Sequence, residues 1–208
     1  MASVILPIFP LPDVTFFPHT LLPLHVFEAR YRAMIMDTLA RDRQLAVVKL
    51  KPGYESSYAG RPAVHPIAGA GEIVSWERLA TGRYNILLKG EWRIRIEGER
   101  PSDTLYRIVT AQKLEDVAPT TDVSAALARI RAACGRLLRA LDRPPDLLDT
   151  ALAEGQSPGV IADRIAAAVV PDPGLRQELL ETLDVTRRLE RLGAALDRLV
   201  NELRRGRE

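Results

Sequence analysis

With 208 residues, 47% of them hydrophobic and 27% charged, the chain has the make-up of a packed globular protein that needs no disulfide or metal to bury a core. A formal net charge of +2 excludes both a polyanion-binding tail and charge-driven disorder. Cys134 is the single cysteine, so no intrachain disulfide can form, and a reducing cytoplasm is the expected compartment.

The first residues, Met1 to Phe9, are apolar but lack a positive flank and run into Pro7, Pro10 and Pro12, which is not the pattern of a signal peptide. No apolar run approaches the ~20 residues of a membrane span. Val4 to Phe9, Thr20 to Val26 and Leu45 to Leu50 are short apolar runs cut by prolines, which predicts edge or irregular strands. Between the first two, Phe16-Phe17 is flanked by Pro12 and Pro18. Such a pair either staples a core or offers an aromatic contact to a ligand.

Phe27, Tyr31, Ile35 and Leu39 recur at every fourth residue and predict a helix from Glu28 to Arg41 with one apolar stripe, plugging one side of a sheet. Lys51 to Pro62 then forms a long loop carrying Tyr54 and Tyr58. Loops of that length are disproportionately functional, and the alternative is an excursion whose tyrosines lie loosely on the sheet. Gly71 to Leu79, Arg83 to Lys89, Glu91 to Glu99 and Leu105 to Leu114 alternate polar and apolar residues, with turn signals at Thr81-Gly82, Lys89-Gly90 and Pro101 to Asp103. Four consecutive antiparallel strands in a meander or partly closed barrel are expected, with Trp92, Ile94 and Ile96 on one face and Arg93, Arg95 and Glu97 on the other.

Every aromatic residue lies at or before Tyr106. That shift in composition divides the chain into a β subdomain, 1–118, and a helical subdomain, 119–208. Thr121 or Asp122 caps a first helix with Val123, Leu127, Ile130, Cys134, Leu137 and Leu141 along one side, ended by Pro144-Pro145. Leu147 to Glu154 reads as a further helical piece. Ser157-Pro158 and Asp172-Pro173 each set a capping side chain before a proline at the first helical position, so two helices begin there. Val185, Leu189, Leu192, Leu196, Leu199 and Leu203 form a seam suited to helix packing, either within the chain or across a homodimer. The charges beside the seam, Arg187, Arg188, Glu190, Asp197 and Arg198, read as a solvated face.

One catalytic pattern matches by letters, Gly155-Gln156-Ser157-Pro158-Gly159, the G-x-S-x-G of a nucleophile elbow. Its chemistry fails. Pro158 has no N–H for an oxyanion hole, no strand precedes Ser157, and His19, His25 and His65 all come before it in the chain. The histidines also lack metal-ligand spacing, and no glycine is followed by lysine as a phosphate loop requires. Catalytic, metal and cofactor-binding residues are therefore all expected to be absent. Cys134, among helical apolar neighbours, is expected to be a buried inert thiol.

Leu6-Pro7-Ile8-Phe9-Pro10-Leu11, Phe17-Pro18 and Leu22-Pro23-Leu24-His25-Val26-Phe27-Glu28-Ala29-Arg30-Tyr31 together resemble the opening of the Lon substrate-binding domain family. Gly69 to Ile73 is similar to its glycine-led strand, Gly82 to Ile96 to its central hairpin, Tyr106 to Leu114 to the next strand, and Gln177 to Leu192 to its helical ending. The resemblance implies an α+β fold, a PUA-like pseudobarrel of mixed and antiparallel strands with one helix, followed by a helical bundle with a long last helix. It also implies recognition of protein substrates, whereas the ATPase and Ser-Lys peptidase of the full protease have no counterpart in these residues.

The expected function is thus a non-catalytic module that binds unfolded or apolar protein segments, an adaptor working with a protease or chaperone, as a monomer or homodimer. Phe16, Phe17, Tyr54 and Tyr58 are its candidate peptide-contacting residues. RNA binding is the alternative, since PUA-like folds serve it elsewhere and the sequence pI is about 8.8, but interspersed charges and the lack of an arginine-aromatic stacking motif speak against it. A latent enzyme in a cleft between subdomains is a third reading.

Overall fold

A computed structural model describes residues 3–58, 60–153 and 155–205. The chain divides into two compact units, Met1–Glu115 and Asp116–Glu208.

In the first unit β1 (Ser3–Leu11), β3 (Gln44–Lys49), β4 (Ile67–Arg78), β5 (Tyr84–Arg100) and β6 (Arg107–Leu114) close on themselves. β1 runs parallel to β3 and antiparallel to β6, and β5 pairs with β4 along its first part and with β6 along its last. β2 (Leu21–Val26) is added outside, bonded to β5 alone from Leu21↔Lys89 to Val26↔Tyr84. This is the pseudobarrel of the sequence reading, with two corrections to its strands.

The first concerns β1 and β3, expected at an edge and found inside the sheet. β3 is buried on both faces: Leu45 and Val47 enter one core cluster, Ala46 and Val48 the other. A continuous apolar run is what such a strand requires. β1 tolerates its prolines because Pro7 lies where only β6 pairs and Pro10 where only β3 does. Each proline therefore has one side without a ladder, where a missing N–H costs nothing.

The second correction is at Lys89-Gly90, which is no turn. β5 runs through it for 17 residues. A Cβ on Gly90 would stand 2.1 Å from the Phe17 carbonyl oxygen, and one on Gly69 1.8 Å from that of Phe16. Both glycines are there because the Phe16-Phe17 segment crosses β4 and β5 in backbone contact. His19 N–H donates to the Gly90 carbonyl and Gly90 N–H to that of Thr20, both at 2.8 Å. The Thr81-Gly82 turn does form, with Gly82 at φ +75° and its N–H on Leu79.

α1 (Ala29–Leu39) covers one cluster with Tyr31, Met34 and Ile35, and Leu39 packs against it. Phe27, assigned to its stripe from the spacing, instead precedes the helix and is 60% exposed. The other cluster is built from small residues, Ala46, Ala68, Ala70 and Ala111, around Leu6, Ile8 and Ile94, with Trp92 and Ile96 against it. Arg93, placed on the polar face by alternation, is buried.

The second unit holds α2 (Ser124–Ala140), α3 (Pro158–Val169), α4 (Pro173–Glu181) and α5 (Val185–Arg205). Asp122 Oδ1 accepts from the Ser124 N–H at 2.9 Å at the start of α2. Ser157 caps α3 through the Val160 N–H, and Asp172 caps α4 through the Leu175 N–H, each before a proline. Leu147 to Glu154 departs from its helical reading: Pro145–Leu148 is a single 3-10 turn, and Glu154 lies outside the described residues.

α5 packs on α2 and α3 through Val185, Leu189, Leu192 and Leu196. Leu199 and Leu203 are half-buried and Arg204 and Arg205 exposed, while the rest of the expected tail, 206–208, is not described. Leu192 and Leu196 are both 0% exposed. Truncation of either to alanine is expected to cost about 2–5 kcal/mol, read as a lower denaturation midpoint with no dependence on protein concentration. An unchanged midpoint together with loss of a dimer would instead make the seam an oligomer contact. Cys134 is buried on α2, and burial pushes its thiol up to about 11. Alkylation of the folded protein at neutral pH is expected to be negligible, and rapid labelling without denaturant would contradict this placement.

Candidate functional site

The long loop has a closed base. Leu50 bridges Val64, and the Lys51 N–H donates to Ala63 at 2.9 Å. Gly53, at φ +82°, leads into a 3-10 turn at Glu55–Ser57, closed by the Ser57 N–H on the Tyr54 carbonyl at 3.0 Å. The Tyr54 and Tyr58 rings stand 6.1 Å apart.

What ties this loop down is the Phe27-Glu28-Ala29-Arg30-Tyr31 motif. The Tyr58 hydroxyl donates to Glu28 Oε1 at 2.8 Å, and Arg30 Nη1 donates to the Tyr58 carbonyl at 3.2 Å. Arg30 Nε donates to Glu28 Oε2 at 3.0 Å. Its guanidinium lies 4.6 Å from the centre of the Tyr31 ring and 5.0 Å from that of Tyr58. A cation between two aromatic faces is a favourable arrangement where water is displaced.

Beside Tyr58 the unit has a pocket of about 100 Å³. Pro10, Tyr31, Pro62 and the 69%-exposed Leu105 supply its apolar surface, and Arg30, Arg61 and Arg107 its charge. Arg61 Nη1 donates to Glu99 Oε2 at 3.0 Å, Arg107 Nη2 pairs with Glu99 Oε1, and Arg107 Nη1 donates to the Pro62 carbonyl at 2.8 Å.

The tyrosines around the pocket hold their protons strongly. Burial pushes Tyr31 up to about 12, against the opposing pull of the Arg30 charge. Burial and the hydrogen bond to Asp37 at 2.8 Å push Tyr106 to about 12. Tyr58 is raised too, by burial and by its bond to Glu28. A neutral tyrosine favoured by the fold contributes stability that is complete below its ordinary value of 10.0 and is lost as pH rises towards about 12. Unfolding midpoints measured from pH 9 to about 12 are therefore expected to fall, and less steeply in Tyr106→Phe. A flat profile would refute the assignment.

Of the residues expected from sequence to contact a peptide, Tyr58 lines the pocket, and Tyr54 stands beside its ring without lining the pocket itself. Phe16 and Phe17 do not join them: they are 1% and 0% exposed and pack in the core, offering no surface to a ligand. Arg61, Glu99, Leu105 and Arg107 were missed. They come from three separate stretches of chain and share no local pattern, whereas Arg30 was visible in its motif.

The free edge of β2 ends one residue before Phe27. On it Leu21, Pro23 and His25 are exposed and Leu22 and Leu24 turn inward. His25 Nδ1 shares a hydrogen bond with Asn85 Oδ1 at 2.8 Å, and its ring stacks on Phe27. In the helical unit a separate groove of about 490 Å³ runs between α4 and α5, with Leu175 and Leu199 in its floor and Glu178, Arg198 and Glu202 along its rim.

The serine of the G-x-S-x-G letters is a helix cap, and the glycine after it has another use. A Cβ on Gly159 would stand 2.7 Å from Asp116 Oδ2. Asp116 is one of two carboxylates on Arg188, a residue 0% exposed rather than on the solvated face read from the sequence. Arg188 Nη1 donates to Asp116 Oδ2 at 3.0 Å and to Asp163 Oδ1 at 2.9 Å. Burial works against its charge, and the two aspartates outweigh that, so its pKa is raised. Among the described residues no group of three or more His, Cys, Asp or Glu side chains could hold a metal ion, and no helix is long and apolar enough to cross a membrane.

Residues 5–198 match the family described as the ATP-dependent protease La (LON) substrate-binding domain. The chain is 26% identical over 200 residues to a Lon protease of Desulfosudis oleivorans, covering 96% of this chain and 24% of that protein. It is 29% identical over 202 residues to a Lon protease 2 of Bdellovibrio bacteriovorus, again covering 95% of this chain and 24% of the relative. It therefore spans about a quarter of the length of these curated relatives. Among solved structures, the N-terminal domain of Mycobacterium avium complex Lon protease superposes with a TM-score of 0.76 at 19% identity, over 93% of this chain and 98% of that one. A Lon N-terminal domain protein from Xanthomonas campestris gives 0.64 at 23% identity, over 92% and 98%. With its pseudobarrel, its helical unit with a long last helix and a family match across nearly all its residues, this chain belongs to the Lon substrate-binding domain family.

Proposed function

We propose that this chain is a non-catalytic module that captures exposed apolar segments of other polypeptides, in the cytoplasm, and passes them to a protease or chaperone. The family description, substrate binding, supports the protein-segment part of this reading. The observation that carries it is the open edge of β2, bonded on one side only and bearing Leu21, Pro23 and His25 on its surface. An unpaired edge offers its main-chain carbonyls, and its N–H groups except at Pro23, which has none, to an extended segment, which adds as a further strand with its side chains in neighbouring pockets. Tyr54, Tyr58 and Leu105 supply apolar and aromatic surface where the chain leaves that strand.

The test is uptake of chemically unfolded model polypeptides, followed by crosslinking and compared with an unrelated globular protein. Leu21, 61% exposed, can be replaced by lysine at little cost to the fold. Leu21→Lys is expected to weaken uptake by about tenfold, the equivalent of one apolar side chain left uncovered. Uptake no greater than that of the globular control would overturn the reading.

A further inference from the structure

We propose that the pocket beside Tyr58 is a carboxylate receptor, which holds the free C-terminal carboxylate of a captured polypeptide. This rests on the segment-binding reading above and adds the chemical group that is recognised. Three guanidiniums, those of Arg30, Arg61 and Arg107, line the pocket, and two carboxylates, Glu28 and Glu99, pair with them. Three against two leaves one positive charge. It belongs to Arg61 and Arg107, which share Glu99, while Arg30 is matched by Glu28.

The three arginines are not equivalent. Arg30 is fixed between two rings and bonded to Glu28 and to the Tyr58 carbonyl. Arg107 is held by Glu99 and Pro62, with its side chain 11% exposed. Among the described residues Arg61 makes one bond, Nη1 to Glu99, and its side chain is 59% exposed. A guanidinium has five N–H donors in a planar fork, so Arg61 retains an edge that can turn onto an incoming carboxylate and bind it with both oxygens. Arg30 and Arg107 supply a fixed positive field, and Arg61 the moving hand.

Size and charge select the occupant. At roughly 30 Å³ per water molecule, a pocket of about 100 Å³ takes one small anion with its first carbons, the end of a chain rather than a passing backbone. One surplus charge matches a monoanion. A nucleic acid would need a basic track for successive phosphates, and here Glu28 and Glu99 would repel the second. Leu105 at the rim gives an apolar last side chain a surface to cover.

Fluorescence anisotropy with one labelled, unstructured peptide ending in leucine, prepared as the free acid and as the amide, tests the proposal in the whole chain. The free acid is expected to bind at least about tenfold tighter than the amide. Arg61→Gln, at an exposed side chain, is expected to bring the acid down to the level of the amide, while Arg143→Gln, the same charge change on the helical unit, leaves the difference intact. Equal binding of acid and amide, both weakened by Leu21→Lys, overturns the receptor and leaves segment capture standing. If neither peptide nor unfolded protein is taken up, both readings fall. An amidated peptide with a penultimate aspartate that binds as tightly as the free acid would make a side chain the ligand, against the proposal. Displacement by single-stranded RNA with a steep salt dependence would likewise count against it.

Discussion

Replacing Arg188 with methionine is expected to destabilise the helical unit by about 3–5 kcal/mol. Methionine fills a similar volume, so the loss is electrostatic. Asp163 is 0% exposed and faces Arg188 Nη1 at 2.9 Å, and without the guanidinium its carboxylate is left in the core with that partner gone. A buried charge that loses its partner costs far more than the intact pair contributes. Removing the second charge as well, in Arg188→Met with Asp163→Leu, is expected to recover much of the loss, because no charge is then left in the core and Asp116, its side chain 31% exposed, is reached by water. Denaturant unfolding followed by the helical circular dichroism signal measures both. If the single variant unfolds at the parental midpoint, Asp163 must find water or another donor, and the buried-pair account fails. Gly159→Ala tests the same network from its other side, since the added methyl lies 2.7 Å from Asp116 Oδ2 and must displace it.

In the β unit a large effect is expected from Gly90→Ala. Its Cβ would lie 2.1 Å from the carbonyl oxygen of Phe17 and 3.2 Å from the Cα of Pro18. Those are backbone atoms, fixed further by the His19 and Gly90 hydrogen bonds, so no side chain can swing away to make room. The Phe16-Phe17 segment must lift from β5, withdrawing two buried phenylalanine rings from the core. A loss of about 4 kcal/mol or more follows, in the range reached only by a clash or a cavity in the core. Tryptophan fluorescence reports it, because Trp76 and Trp92 both lie in this unit. Gly98→Ala, on the same strand with nothing within 4 Å of the new Cβ, is the matched control and is expected to shift the midpoint little. Equal behaviour of the two variants would mean that the crossing segment is not in contact with β5.

These two residues also mark where reading the sequence stopped working. Gly90 follows a lysine between two alternating stretches, which is the pattern of a hairpin turn. The same glycine serves a close backbone approach, and the segment that approaches is more than seventy residues earlier in the chain. Arg188 sits next to Arg187 in a run of mixed charges that has the look of a helix surface. Its burial depends on Asp116 and Asp163, 72 and 25 residues away, and a lone position on a helix says nothing of what its partners bring to it. Much of the candidate site was hidden for the same reason. Tyr58 and the Glu28-Arg30 motif were each visible, but the bond between them spans 30 residues, and Arg61, Glu99 and Arg107 meet only because β5 and β6 bring them together with the end of the loop.

By itself, the sequence determined what depends on neighbours a few residues apart. The Ser157-Pro158 and Asp172-Pro173 helix starts rest on a side chain bonding an N–H three residues on, and the seam of α5 on spacings of three and four. The family followed from short motifs kept in order along the chain. Tertiary structure decided which strands lie at the edge, which glycine is a turn and which a crossing, which arginine is buried, and which charges share a pocket. Local rules count residues along one element, whereas burial and charge pairing are set by distances across elements, and those exist only once the chain has folded.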